Sequence, residues 1–173
     1  INNKREETHI ANNILGVRKV HFGELPDMRL DNTAHIEVNS VIENTIREVK
    51  PEIVYTHFYG DVNLDHQCVY KSTLVAVRPI LGQPVKELYC YRVPSSTEWS
   101  PQIPLSIFSP NVFVDISDYG YKKHEAIKAY KTEIRDFPHP RSVEYVERCD
   151  CATGLKCGIN SAEEFMLLRK ISL

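Results

Sequence analysis

The densest cluster of side chains able to do chemistry lies within residues 57–66. It contains two imidazoles, two carboxylates and one amide: His57, Asp61, Asn63, Asp65 and His66. Imidazoles and carboxylates are common metal ligands, and a carboxylate near a metal-bound imidazole can orient it or serve the reaction. The spacing therefore indicates a metal or acid–base site. The alternative is that both carboxylates and the amide are only turn and N-cap residues of the following helix.

The segments on either side of this cluster predict where it stands in the fold. Residues 53–56 are a short β-branched run without polar alternation, which is typical of a buried parallel strand. Residues 67–77 are predicted as a helix. In open α/β sheets, ligands bind beyond the carboxyl ends of the strands, and the cluster directly follows such an end.

The rest of the chain alternates predicted helices with short apolar strands. Helices are predicted at residues 5–15, 33–49, 117–134 and 142–149, and strands at residues 17–22, 87–91 and 111–116. A capping box from Ser161 to Glu164 predicts a last helix over residues 165–170. This alternation predicts a single α/β domain with right-handed crossovers.

Composition and charge exclude several classes of protein. Of the 173 residues, 42% are hydrophobic and 25% are charged, which excludes collagen-like and disordered chains. A formal charge of −2 provides no general attraction to nucleic acid or anionic lipid, and no apolar run approaches the roughly 20 residues of a membrane span. Five cysteines, an odd number, do not form a disulfide framework and predict a reducing, cytoplasmic setting.

Two further regions carry candidate residues. Residues 94–110 are rich in Pro and Ser, too long for a plain connection, and hold the single tryptophan, Trp99. Its ring could stack on the apolar face of a sugar or equally pack the loop onto the core. Near the C-terminus, Cys149, Cys151 and Cys157 lack the fourth ligand and the CxxC spacing of a zinc knuckle, which favours ordinary thiols.

The motif Asp61-x-Asn63-x-Asp65-His66, which follows the run Lys-Pro-Glu-Ile-Val-Tyr-Thr-His, resembles the second conserved motif of the PIG-L/LmbE-like deacetylases. Other stretches agree with that family in order, and together they cover essentially the whole chain: residues 4–16, 25–27, 50–51, 110–115, 138–142 and 162–169. The resemblance implies a Rossmann-like three-layer α/β sandwich with a mostly parallel sheet. It also implies zinc-dependent hydrolysis of the acetamide of an N-acetylated amino sugar (GlcNAc-type) conjugate, with release of acetate.

The same resemblance implies the role of His66 as a zinc ligand. Family members supply the other ligands and the general base from an N-terminal His-Pro-Asp-Asp motif, which does not occur in this sequence. We therefore expect residues 1–173 to be one deacetylase domain without its first strand and metal motif, and roughly the first 40–50 residues of the usual domain to lie elsewhere. Such a chain is expected to need a separate N-terminal fragment as a partner for activity, because a catalytic zinc takes about three protein ligands.

Around His66, the family resemblance implies that Asp61, Asn63, Asp65 and His57 are catalytic or orienting groups. Asn63 stands where many members have a histidine. Its amide can donate to an oxyanion but cannot act as an acid, which leaves His57 or Asp65 to supply or orient one.

Arg141 resembles the family's C-terminal arginine, so it is predicted to bind substrate together with Trp99; a structural salt bridge is the alternative for Arg141. The alternative function is a catalytically incomplete module of the same fold that binds a sugar or nucleotide. The predicted partner is an N-acetylated amino sugar conjugate, with no nucleic acid and no membrane span. The sequence leaves an oligomer open.

Overall fold

The computed structural model describes residues 2–104 and 106–172. The elements in chain order are α1 (Asn2–Leu15), α2 (His35–Val49), β1 (Ile53–His57), α3 (Leu64–Ala76), β2 (Glu87–Tyr91), β3 (Val112–Asp115), α4 (Gly120–Ala129), α5 (Val143–Cys157) and β4 (Ala162–Lys170), with a 3₁₀ turn at Leu30–Asn32. The chain divides into two compact units, one containing the residues up to 21 and 113–164, the other containing 22–112 and the residues from 165 onward. The single domain over residues 1–173 stays a prediction.

The second unit contains the candidate cluster. In it, α2 packs against α3, and their apolar faces bury a core of Ile46, Ala76, Val77, Val85 and Leu88. Strands β1 and β2 pair in parallel and in register, from Ile53 opposite Glu87 to His57 opposite Tyr91. The carboxyl ends of both strands therefore meet at one edge of the sheet, as predicted for the site.

The first unit is built around α1, α4 and α5. Ala11, Ala126 and Ala129 form its small apolar core. The buried carboxylate of Glu7 accepts hydrogen bonds from the Thr132 amide, at 3.0 Å, and from its hydroxyl, at 2.6 Å. These bonds tie α1 to the segment that follows α4.

The predicted α/β class is confirmed, but the mostly parallel sheet is wrong. The four strands lie in the order β1-β2-β4-β3, and β4 runs antiparallel to β2, with Glu87 opposite Lys170. Only β1 and β2 form a described parallel pair, so the sheet is mixed. Among the described residues, no helix combines the length and apolar character needed to cross a bilayer.

Three local predictions are corrected by the structure. Residues 165–170 belong to strand β4, because pairing with β2 outweighs the helix preference of Glu, Met, Leu and Lys side chains. Residues 17–22 are irregular, since in the described chain they join no ladder. Strand β1 is parallel as predicted but not buried: it lies at the sheet edge, and Ile53 and Tyr55 are each 48% exposed.

Candidate functional site

The predicted cluster assembles where β1 and β2 end and α3 begins. His57 is the last residue of β1, and a short loop then leads to Asn63, the N-cap of α3. The Asn63 side-chain oxygen accepts a hydrogen bond from the Asp65 amide at 2.9 Å. The capping role offered as the alternative for this residue is therefore present, and the helix start fixes the direction of His66 one residue later.

Asp61 and His66 form a directed pair at the centre of the cluster. Asp61 is 1% exposed, and its Oδ2 lies 2.9 Å from His66 Nδ1. An ionised carboxylate can only accept, so the pair requires the imidazole proton on Nδ1. The Nε2 lone pair of His66 is then left for a ligand, which is the arrangement found when a carboxylate orients a metal-binding histidine.

The second oxygen of Asp61 is occupied by a threonine that sequence reasoning missed. The Thr97 hydroxyl donates to Asp61 Oδ1 at 2.6 Å and accepts from the Val93 amide at 2.8 Å. Both Asp61 oxygens are thus engaged, and the carboxylate cannot rotate without losing a bond. The sequence offered one signal for Thr97, its place in the polar loop of residues 94–110.

His57 stacks on His66, with ring centroids 4.2 Å apart. Burial, together with a smaller effect of the nearby His66 and against the opposing effect of Asp61, lowers the pKa of His57 to about 4. The His57 ring is therefore neutral near pH 7 and cannot serve as an imidazolium acid.

Tyr91 is the second residue that the sequence reasoning missed. Its hydroxyl lies 3.2 Å from His57 Nε2, and burial, with a smaller effect of Asp61, raises its pKa to about 12. Tyr91 therefore stays protonated, and its hydroxyl forms a hydrogen bond with the His57 ring. The signal was available, because Tyr91 ends the predicted strand 87–91 at the edge where ligands bind. His57 Nδ1 is buried with no hydrogen-bond partner among the described residues, so a bound polar group would be stabilised there.

Asp65 holds a neighbouring loop. Its carboxylate accepts from the Met28 amide at 2.7 Å and from the Leu30 amide at 3.0 Å. The Asn63 side-chain amide points toward Met28, with Nδ2 at 3.9 Å from Sδ. Both polar side chains therefore shape the rim of the site, and their predicted catalytic roles stay predictions.

The segment that carries Thr97 is anchored at several points beside Asp61. The Val62 amide donates to the Ser96 carbonyl at 3.2 Å, and the Ser100 hydroxyl donates to the Gly60 carbonyl.

Gly60 admits no side chain, because a Cβ there would lie 2.5 Å from the Phe58 ring and 2.9 Å from the Ser106 carbonyl oxygen. On this anchored segment Trp99 is 59% exposed, which leaves its ring largely accessible to a ligand.

Arg141 belongs to the first unit, whereas the cluster belongs to the second. Its Nη1 lies 2.6 Å from Glu133 Oε2, and Glu133 also pairs with Lys4 at 2.9 Å. The structural salt bridge offered as the alternative is therefore present. Its role in substrate binding stays a prediction.

His66 fits a metal as one ligand, since its Nδ1 is held by a carboxylate and its Nε2 has no hydrogen-bond partner in the described part of the chain. Within residues 2–104 and 106–172, no three His, Cys, Asp or Glu side chains are grouped to hold a metal. The described residues thus supply one zinc ligand and do not by themselves complete a zinc site. All five cysteines are free, including the three near the C-terminus.

Comparisons with known proteins agree with the resemblance found in the motifs. Residues 1–77 match the model of the PIG-L family, described as GlcNAc-PI de-N-acetylase. This segment includes the whole of β1 and α3, and with them the Asp61–His66 pair. The predicted resemblance to PIG-L/LmbE-type deacetylases is confirmed.

Three solved structures share the fold at low sequence identity. The A40926 pseudoaglycone deacetylase Dbv21 has a TM-score of 0.74 and 20% identity, over 99% of this chain and 72% of that one. The N,N'-diacetylchitobiose deacetylase from Pyrococcus horikoshii has a TM-score of 0.68 and 17% identity, over 96% of this chain and 63% of that one. The 4-carboxy-2-hydroxymuconate hydratase GalB from Pseudomonas putida KT2440 has a TM-score of 0.72 and 22% identity, over 99% of this chain and 73% of that one. Because a hydratase shares the fold with two deacetylases, the fold alone does not fix the reaction.

Proposed function

We propose that this chain forms the His66 side of a site that hydrolyses the acetamide of an N-acetylated amino sugar conjugate. Its first 77 residues match the model of the PIG-L family. The products are acetate and the free amine of the sugar. The observation that carries the proposal is the Asp61–His66 pair, in which a buried carboxylate holds the imidazole by Nδ1 at 2.9 Å and leaves Nε2 for a ligand.

In this proposal His66 is a zinc ligand, and the remaining ligands come from outside the described residues. When bound, zinc supplies Lewis-acid activation of the acetamide carbonyl and of water. Asp61 holds the imidazole proton on Nδ1, so the Nε2 of His66 keeps a fixed direction. Tyr91 and His57 add two groups that stay uncharged near neutral pH and can donate hydrogen bonds without carrying charge into the site.

The choice of a sugar substrate rests on two features. The PIG-L family is described by an amino sugar conjugate, GlcNAc-PI, and two of the deacetylases with this fold act on an N-acetylated disaccharide and a pseudoaglycone, by their names. On this chain, Trp99 is exposed on a segment anchored beside Asp61, and an aromatic ring suits the apolar face of a pyranose. Trp99 is therefore proposed to contact the sugar.

The reaction class is tested with the protein as its own cell makes it, and proton NMR detects the products. The protein is incubated with zinc and a panel of N-acetylglucosamine conjugates, and with an unsaturated carboxylic acid as a hydratase substrate. Acetate and free amine in equal amounts would support the proposal. Hydration of the acid without release of acetate would refute it, and so would saturable sugar binding with neither reaction, the behaviour of a binding module.

A further inference from the structure

We propose that Thr97 is a positioning residue that fixes the tautomer and direction of His66 through Asp61. The inference deepens the proposed function and rests on it wherever zinc is concerned. Thr97 lies 36 residues from Asp61 in sequence, yet its hydroxyl is 2.6 Å from Asp61 Oδ1. It touches the pair at the oxygen opposite the one that faces His66.

The direction of each bond in this relay follows from its partners. The Val93 backbone amide can only donate, so the Thr97 hydroxyl accepts from it and turns its own proton to Asp61. Asp61 is 1% exposed, so no bulk water can replace Thr97 on Oδ1. The chain of hydrogen bonds therefore runs from the Val93 amide through Thr97 and Asp61 to His66 Nδ1. It begins on the backbone just after β2, which ends at Tyr91.

Removing the hydroxyl would leave one oxygen of a buried carboxylate without a donor. The carboxylate would then rotate or shift toward other donors, because an unpaired buried charge is costly. Its hold on His66 Nδ1 weakens, and the imidazole proton redistributes between the two ring nitrogens. With the proton on Nε2, the ring no longer presents that nitrogen as a ligand.

The test compares Thr97→Val, Thr97→Ser and wild type in the protein as its own cell makes it, freed of metal with a chelator. Val keeps the shape without the hydroxyl, and Ser keeps the hydroxyl. Thr73→Val is the matched control, because Thr73 is also a buried threonine of the second unit, with its hydroxyl bonded to Thr56 at 3.0 Å and to the Val69 carbonyl at 2.8 Å. The readout is the pair of ring ¹⁵N shifts of His66 at one pH near 8, which report the tautomer without any metal.

Wild type, Thr97→Ser and Thr73→Val are expected to show the Nδ1–H tautomer. Thr97→Val is expected to lower the ratio of Nδ1–H to Nε2–H by about tenfold, equivalent to about 1.4 kcal/mol. A folded Thr97→Val with wild-type ring shifts would overturn the proposal, and so would a wild-type chain whose His66 carries its proton on Nε2. If Thr97→Val does not fold, Thr97→Ala is read by the same two outcomes.

A zinc titration followed by the same ring signals separates this proposal from the function. Zinc shifts of His66 in wild type that weaken by about 10–100-fold in Thr97→Val would support both claims. A changed tautomer with no zinc response in any variant would uphold the role of Thr97 and count against zinc. An unchanged tautomer with an equal zinc response in both proteins would refute the role of Thr97 alone.

Discussion

Two histidines in contact have opposite environments in this site. His66 faces a carboxylate through Nδ1, whereas His57 faces a tyrosine hydroxyl and has a buried nitrogen without a partner in the described chain. Their spacing places both in one ten-residue cluster but does not by itself distinguish them; the different roles predicted for them came from the family resemblance. Burial and partner chemistry make the difference: the His66 ring is held in one direction with Nε2 left for a ligand, and the His57 ring is neutral near pH 7 and stacks on it.

The neutral state of His57 predicts a pH dependence of stability. Its pKa is about 4 in the fold and about 6.5 when unfolded, so between these values the unfolded chain binds a proton that the folded chain does not. The free energy of unfolding is therefore expected to fall as the pH is lowered from 6.5 to 4, by at most about 3 kcal/mol from this residue, and to be unaffected by it above that range.

Urea unfolding of the metal-free chain from pH 4 to 8 measures this effect. His57→Gln, which keeps a polar partner for Tyr91, is expected to flatten the slope between pH 4 and 6.5. His21→Gln removes an exposed histidine instead and serves as the control. Equal slopes for wild type and His57→Gln would show that His57 is not held neutral by the fold.

Asp65 illustrates how a candidate acid can have a structural task. Its carboxylate accepts two backbone amides, from Met28 and Leu30. Asp65→Ala is expected to raise the hydrogen-exchange rates of these two amides at least about tenfold, equivalent to about 1.4 kcal/mol. Asp31→Ala is the control. It removes a carboxylate from the 3₁₀ turn that contains Leu30 and should leave both exchange rates nearly unchanged. Unaltered exchange in Asp65→Ala would free Asp65 for the acid role that the sequence suggested.

At the scale of elements, the sequence pattern predicted correctly those helices and strands whose formation depends on neighbouring residues. The strand over residues 87–91 was predicted with its observed bounds, and Ser142 was correctly expected to start a helix. Residues 165–170 were predicted as a helix because their side chains prefer one, yet they form part of β4. That outcome depends on a partner strand, β2, whose paired residues lie 74 to 83 positions earlier, and no local pattern records such a partner.

Ser142 offers a test of one correctly predicted element boundary. Its buried hydroxyl accepts from the Tyr145 amide at 3.1 Å and caps α5. Ser142→Ala is expected to lower the free energy of unfolding by about 1 kcal/mol, and Ser142→Asn to restore most of it. Thermal unfolding measures both changes. Ser40→Ala, which removes a hydroxyl bonded within α2, should lower the free energy of unfolding by much less. A Ser142→Ala chain as stable as wild type would mean that the cap contributes nothing.

The candidate site was predictable up to the limit of the local motif. Spacing brought Asp61, Asn63, Asp65 and His66 together, since a turn and the first turn of a helix necessarily cluster them. Thr97 and Tyr91 arrive from elsewhere in the chain. Their contacts depend on strand register and on the path of an irregular loop, which the sequence pattern does not determine.

At the scale of the whole molecule, two units each carry a polar network of their own. In the second unit, Asp61 gathers His66 and Thr97. In the first, Asp150 accepts from Lys123 at 2.8 Å and from His124 at 3.1 Å. Of these residues, only Asp61 and His66 lie within the residues that match the PIG-L family model, so the proposed chemistry is assigned to the second unit.

The most direct test of the proposed function is the rate of acetate release from an N-acetylglucosamine conjugate, compared between wild type and His66→Ala. Both proteins are prepared in the form in which the cell makes them and assayed with zinc, and Thr73→Val controls for a buried substitution away from the site. We predict release by wild type and Thr73→Val, and a loss of more than about 100-fold in His66→Ala, because the substitution removes a metal ligand itself and not only its support. Equal release by wild type and His66→Ala would contradict the account.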